Sequence, residues 1–171
     1  MEHVSRVFSG LINRAMNISL IAVGRMNHCP EATLVLKYKE RFDKLSSLTG
    51  INPLKIIEID EKKFRTPSLQ AIKIREKVEV KASVFLFCET GKSLSSKQFS
   101  KFLSKQRDSG IKQQTFIIGG AFGLCPSLQK DANGILSLGK MVWPHFLARV
   151  LIVEQLYRSA SLITGGAYHK E

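Results

Sequence analysis

The feature that most constrains this sequence is the regular alternation of short apolar segments with longer amphipathic ones. β-Branched and aromatic residues concentrate in five segments that we predict to be strands. These are residues 18–23, 54–59, 83–88, 115–118 and 135–138. Strands that alternate with helices predict an α/β domain with a mainly parallel sheet and helices on both of its faces.

Capping and stop residues delimit the helices predicted between these strands. Helices are predicted to span residues 30–50, 66–78, 95–110 and 145–163. Thr66 is a suitable N-cap because the proline after it fits the first helical position. Ser95 with Gln98 three residues later has the spacing of a capping box.

Three loops at the carboxyl ends of predicted strands are where we expect a ligand site, because parallel sheets bind ligands there. They follow Phe87, Ile118 and Leu138. The second contains the glycine-rich residues 119–123, whose backbone can approach a ligand closely, although a purely structural tight turn explains it equally well. The third contains the only tryptophan, Trp143, for which a buried gap-filling role is the alternative. Neither a phosphate-binding P-loop nor a dinucleotide fingerprint is present.

The chain has a strong excess of positive charge. It contains 26 Lys and Arg against 14 Asp and Glu, a net charge of +12, and half of the basic residues lie in residues 62–112. Such a domain attracts polyanions, because each phosphate contact releases condensed counterions. This charge favours nucleic-acid binding over the alternative, a lysine-rich surface that only maintains solubility.

Other features narrow the class of protein. Three cysteines, Cys29, Cys88 and Cys125, suggest free thiols and a cytoplasmic location. No apolar run is long enough to cross a membrane, so we expect no membrane association. The spacing of Cys and His predicts no metal site, and no GxSxG motif supports serine hydrolysis. We treat residues 1–15 as an N-terminal extension of unclear role and residues 16–171 as the folded domain.

Four separated motifs, in this order, resemble one known family. They are IIGGAFGL at residues 117–124, LSLGKMVWPH at 136–145, LARVLIVEQLYR at 147–158 and YHKE at 168–171. With the strand at residues 21–24 and the turn at 89–92, they resemble the RlmH family, the ribosomal RNA large subunit methyltransferase H group of the SPOUT class. The resemblance covers residues 16–171.

The resemblance implies a fold and an activity that periodicity alone does not. It implies a homodimeric α/β fold with a deep trefoil knot near the C-terminus, although protein chains in general avoid threading loops. It further implies that S-adenosylmethionine binds in the knot and that N3 of a pseudouridine is methylated. The partner is then large-subunit rRNA or the assembled ribosome.

The resemblance also implies a set of cofactor contacts. Carried over position by position, they are Phe87, Gly120, Gly139, Lys140, Met141, Val142, Trp143 and Pro144. Three positions depart from the family pattern. Phe87 replaces a common leucine, Ala121 a common proline and Val142 a frequent threonine, changes that we expect to affect affinity more than activity.

The candidate catalytic residues lie in the final helix and the tail. N3 of pseudouridine must lose its proton as it attacks, so a nearby cation or general base assists the reaction. The candidates are His169, Arg149 and Arg158, with Tyr168 packing near the target base and Glu154 orienting an arginine or histidine.

Alternatives remain open for these residues and for the function. The helical candidates could form an ordinary network on the helix surface, and the tail could be a frayed end. A non-enzymatic RNA-binding or ribosome-assembly protein on the same fold, or a methyltransferase with another RNA target, would share most of these features.

Overall fold

In the part of the chain that the structure describes, five strands alternate with five helices. The computed structural model describes residues 15–166 and residue 168, so nearly all of the N-terminal extension and the candidate His169 lie outside the described residues. The elements are β1 (Asn17–Val23), α1 (Pro30–Thr49), β2 (Lys55–Ile59), α2 (Pro67–Lys77), β3 (Ser83–Ser93), α3 (Ser96–Asp108), β4 (Gln113–Ile118), α4 (Pro126–Asp131), β5 (Gly134–Ser137) and α5 (His145–Ile163).

The strands form one parallel sheet with a hydrophobic core on each face. The strand order is β2-β1-β4-β3-β5, and every pairing is parallel. Leu20 and Ala22 of β1 belong to the core shared with α1, α3 and α5. Ile21 and Val23 belong to the core shared with α2 and α4, because successive residues of a strand face opposite sides. The predicted parallel α/β architecture is therefore confirmed.

Local signals at the helix ends behave as predicted. The Thr66 hydroxyl accepts a hydrogen bond from the backbone N–H of Leu69 at 3.3 Å. Ser95 and Gln98 form both hydrogen bonds of a capping box, at 3.2 and 2.8 Å. The helix predicted over residues 145–163 is present with those same ends. Among the described residues, no helix is long and apolar enough to span a membrane.

The structure differs from the sequence-based expectation along β3. A turn is predicted at residues 91–92, but β3 continues to Ser93 with a register shift, so that Phe87 and Lys92 both lie opposite Leu136 of β5. A Cβ atom at Gly91 would lie only 2.4 Å from the Leu136 carbonyl carbon. The glycine that suggests a turn instead permits two backbones to touch at a bulge.

Candidate active site

A cavity of about 780 Å³ lies where the carboxyl ends of β3, β4 and β5 meet. Its walls come from residues 87–89, 118–124, 137–139 and 141–145, together with Ala148 of α5. This volume is within the range of roughly 300–1000 Å³ that small-molecule sites occupy. The structure thus brings together the three loops that the sequence singles out.

The glycine-rich loop is both a tight turn and a cavity wall. The backbone N–H of Gly123 donates to the carbonyl oxygen of Gly120 at 3.0 Å, and Gly123 has a φ of 72°. A Cβ atom at Gly119 would lie 2.7 Å from the Gly123 carbonyl carbon, and one at Gly120 would lie 2.9 Å from Cγ1 of Val23. The two interpretations of this loop are therefore compatible, and its shape depends on glycine.

The third loop forms the opposite wall and is largely exposed. Seven of the eight predicted cofactor residues line the cavity, and Lys140 is the exception. Trp143 is 37% exposed and, with Phe87, also lines a neighbouring cavity of about 370 Å³. A buried gap-filling role for Trp143 is therefore wrong. Within the described residues, the backbone groups of Lys140, Met141 and Val142 make no hydrogen bonds, so they are available to a ligand.

His145 is a cavity residue that the sequence reasoning missed. It lines the cavity as the first residue of α5, and its Nε2 atom is buried without a hydrogen-bond partner in the described part of the chain. Leaving such a group unpaired costs about 1–3 kcal/mol, which a bound polar group would offset. Cys88 and Glu89 line the cavity from β3, directly after Phe87, where the register of that strand shifts. Both residues directly follow the apolar part of that strand in the sequence, and this position could have identified them as candidates for the site.

A second group of polar and aromatic side chains lies where the C-terminal half of α5, Tyr38 of α1 and Tyr168 meet. We call it the tail cluster, and it consists of Tyr38, Glu154, Tyr157, Arg158 and Tyr168. Arg158 Nη2 donates to Glu154 Oε1 at 2.7 Å, and the guanidinium lies 4.7 Å from the Tyr168 ring centroid. The rings of Tyr157 and Tyr168 lie 4.6 Å apart. Tyr168 thus has specific contacts, which a frayed end would lack.

Two members of the tail cluster, Arg158 and Tyr168, have raised pKa values. Burial raises the pKa of Tyr168 to about 12, and a hydrogen bond with Tyr38 and the charge of Glu154 contribute to the increase. Partial burial opposes the charge of Arg158, but the hydrogen bond and charge of Glu154 outweigh it and raise the pKa of Arg158. At neutral pH the cluster therefore presents a neutral phenol and a guanidinium cation.

Comparison with known proteins places this architecture in a family. Residues 16–169 match a family model described as "Predicted SPOUT methyltransferase". The chain belongs to the SPOUT methyltransferase family. It is 39% identical over 155 residues to the ribosomal RNA large subunit methyltransferase H of Ruegeria sp. (strain TM1040), an alignment that covers 91% of this chain and 99% of that relative. The Rhizobium etli protein of the same name is 40% identical over 159 residues, with the same coverage.

In this SPOUT methyltransferase, Arg149 lies inside the protein and lines neither cavity. Its side chain is 1% exposed and pairs with Glu58 Oε1 at 2.5 Å. It also donates to the carbonyl oxygens of Val23 at 3.2 Å and Gly24 at 2.8 Å. Burial lowers the pKa of Arg149, and Glu58 opposes that effect. These contacts attach α5 to the ends of β1 and β2, whereas the catalytic role of Arg149 stays a prediction.

The structure separates the two predicted parts of the SPOUT site. None of Glu154, Arg158 and Tyr168 lines either cavity. Arg158 follows His145 by 13 residues on the same helix. At a rise of 1.5 Å per residue, Glu154 lies roughly 9 Å and Arg158 roughly 15 Å along α5 from Ala148, the last cavity residue of that helix. Within one chain, the cofactor residues and the tail residues therefore occupy different places.

Proposed function

We propose that this SPOUT methyltransferase transfers a methyl group from S-adenosylmethionine to N3 of a pseudouridine in large-subunit rRNA, in the cytoplasm. The observation that carries the proposal is the glycine-walled cavity at the carboxyl ends of β3, β4 and β5. The two relatives reported above are named as methyltransferases of large-subunit ribosomal RNA. The net charge of +12 suits such a polyanion.

The cavity residues fit the methyl donor. Phe87 and Trp143 offer aromatic walls for an adenine ring, and the free backbone groups of residues 140–142 can recognise its polar edge. When bound, the donor supplies an already activated methyl group on a sulfonium, so the protein has mainly to orient the reactants. We propose that these loops lie in the C-terminal trefoil knot.

The tail cluster supplies the remaining chemistry in our proposal. The Arg158 cation, oriented by Glu154, stabilises the negative charge that develops on the attacked base. Tyr168 remains a neutral phenol, so it packs against the base or donates a hydrogen bond, and it does not accept the proton. We assign proton removal to His169. Because no residue of the tail cluster lines the cavity of its own chain, we propose a homodimer in which each tail completes the partner's site.

Replacing Gly120 with valine should weaken S-adenosylmethionine binding at least tenfold. The new side chain would meet Val23, whose Cγ1 lies 2.9 Å from the position of the added Cβ, so the loop would have to move away from Val23 and the cavity wall would change shape. Isothermal titration calorimetry measures the effect. Gly110→Ala is the control, because nothing lies within 4 Å of an added Cβ there, and its φ of 82° adds a backbone strain that Gly120→Val does not, so it also controls for a general loss of stability. Unchanged affinity in Gly120→Val would exclude this loop from the cofactor site.

RNA binding should weaken steeply with salt and should depend on the basic residues of α3. Lys101 and Lys105 are exposed on the same side of α3, four residues apart. Reversing both to glutamate should reduce the salt slope of binding by about 2, because each lost phosphate contact removes about one unit. Reversing Lys37 and Lys44, which are exposed on α1, changes the net charge equally and should change the slope less. Equal slopes for the two variants would indicate a merely solubilising surface.

A further inference from the structure

We propose that Phe122 is a stacking platform for one unpaired nucleobase of the RNA substrate at the mouth of the methyl-donor cavity. The inference rests on the proposed function, because it assumes that RNA approaches this cavity. It begins with an unusual exposure. Phe122 lines the cavity, yet 81% of its surface is exposed to solvent. A large aromatic ring exposed at the edge of a binding site indicates a surface that a partner covers.

The backbone holds this ring at a defined place. Phe122 lies within the turn that the hydrogen bond between Gly123 and Gly120 closes, and Gly120 and Gly123 also form an isolated β-bridge. The turn is packed so closely against Gly119 that no Cβ atom fits there. A side chain on a turn of fixed shape loses little conformational freedom when a ligand covers it.

Two further exposed apolar side chains line the same cavity, and an exposed lysine precedes them in the sequence. Met141 is 69% exposed and Val142 is 79% exposed, and both line the same cavity. Lys140 precedes them, is exposed and lies outside the cavity lining. A base has apolar faces and a charged phosphate attached, so its ring suits Phe122, Met141 and Val142 and its phosphate suits Lys140.

A nucleobase is the occupant that the charge of the protein favours at this mouth. The net charge of +12 attracts a polyanion. A reacting base must also enter the cavity to reach the methyl group, which requires it to leave its own stack. An aromatic ring at the entrance offsets part of that unstacking.

Variants of Phe122 test the proposal through RNA binding, without methyl transfer. The probe is a fluorescent fragment of large-subunit rRNA that contains an unpaired loop, and its affinity is measured by anisotropy. Phe122→Ala should weaken binding roughly 5- to 100-fold, the usual range for loss of one stacked base. Phe122→Trp should bind within about twofold of the wild type, and Phe122→Leu should stay weak because leucine has no π face. Val80→Ala, at an apolar position 85% exposed and outside the cavity lining, is the control and should bind normally.

Three results would overturn the proposal. If Phe122→Leu bound RNA as well as the wild type, the contact would be merely apolar. If Phe122→Ala lost S-adenosylmethionine affinity in calorimetry but kept RNA affinity, Phe122 would be only a cofactor wall. If Phe122→Ala changed the molar mass in light scattering, the ring would belong to an interface between copies. A wild-type protein that binds RNA through Phe122 but methylates no rRNA would contradict the proposed function alone.

Discussion

A protein that ends at Ala167 should bind S-adenosylmethionine normally and transfer methyl groups about 10²–10⁴-fold more slowly, the usual loss for one positioned acid–base group. The cavity should be intact, because Tyr168 contacts α1 and α5 at the tail cluster and does not line the cavity. His169→Ala alone should reproduce much of the loss. Single-turnover rates with saturating donor measure the effect. If the shortened protein methylates rRNA at the wild-type rate, the tail has no catalytic role.

Mixing two inactive variants tests whether each tail serves the partner's cavity. The shortened protein keeps its cavity, and Gly120→Val keeps its tail. Light scattering should first give a molar mass of about twice 19.2 kDa for each protein. After subunit exchange, heterodimers should contain one complete site, and a statistical mixture should recover about a quarter of the wild-type activity. No recovery, despite exchange shown by differently labelled chains, would place cavity and tail in the same subunit.

Arg149→Met should lower the free energy of unfolding by about 3 kcal/mol, the lower end of the range for breaking a buried ion pair. The lower end is expected because Glu58 is 31% exposed and water can solvate it after the change. The backbone oxygens of Val23 and Gly24 would also lose their donor. Urea denaturation followed by circular dichroism measures the difference.

Two variants control this stability measurement. Arg158→Met removes a partly buried pair and should cost less than Arg149→Met, because the Gln155 amide still donates to Glu154. The double variant Glu58→Gln with Arg149→Met should cost less than the sum of the two single changes, because the two residues interact directly. Wild-type stability of Arg149→Met, combined with slow methyl transfer, would instead support the catalytic role first considered for Arg149.

The fold was predictable wherever one local rule determined the structure. Strands buried on both faces give short apolar runs, and caps such as Thr66 act within three residues. Helix α2 shows the limit of periodicity. Leu69 and Ile72 have helical spacing but are 46% and 55% exposed, while the buried Gln70 donates to the Phe64 carbonyl at 2.9 Å. Which face of a short helix is buried depends on its tertiary neighbours, and the sequence pattern does not contain them.

The candidate site divides in the same way. The cavity was predictable, because the carboxyl ends of parallel strands meet at one edge of the sheet. Two features of the site could not be predicted: the burial of the His145 Nε2 atom and the separation of the tail cluster from the cavity. Both depend on how α5 lies across the sheet. The predictions of a knot and of the cofactor rest only on the resemblance to a known family.

The ion pair of Arg149 also bears on the order in which the chain folds. Its hydrogen bonds to Val23 and Gly24 join residues 126 and 125 positions apart. Contacts between such distant residues close a long loop and form late, after helices and neighbouring strands. His145, four residues before Arg149, is part of the cavity wall, so the cavity is complete only when α5 has docked. During synthesis, a growing chain therefore completes this cavity, which we propose to hold the methyl donor, only after α5 has been synthesised.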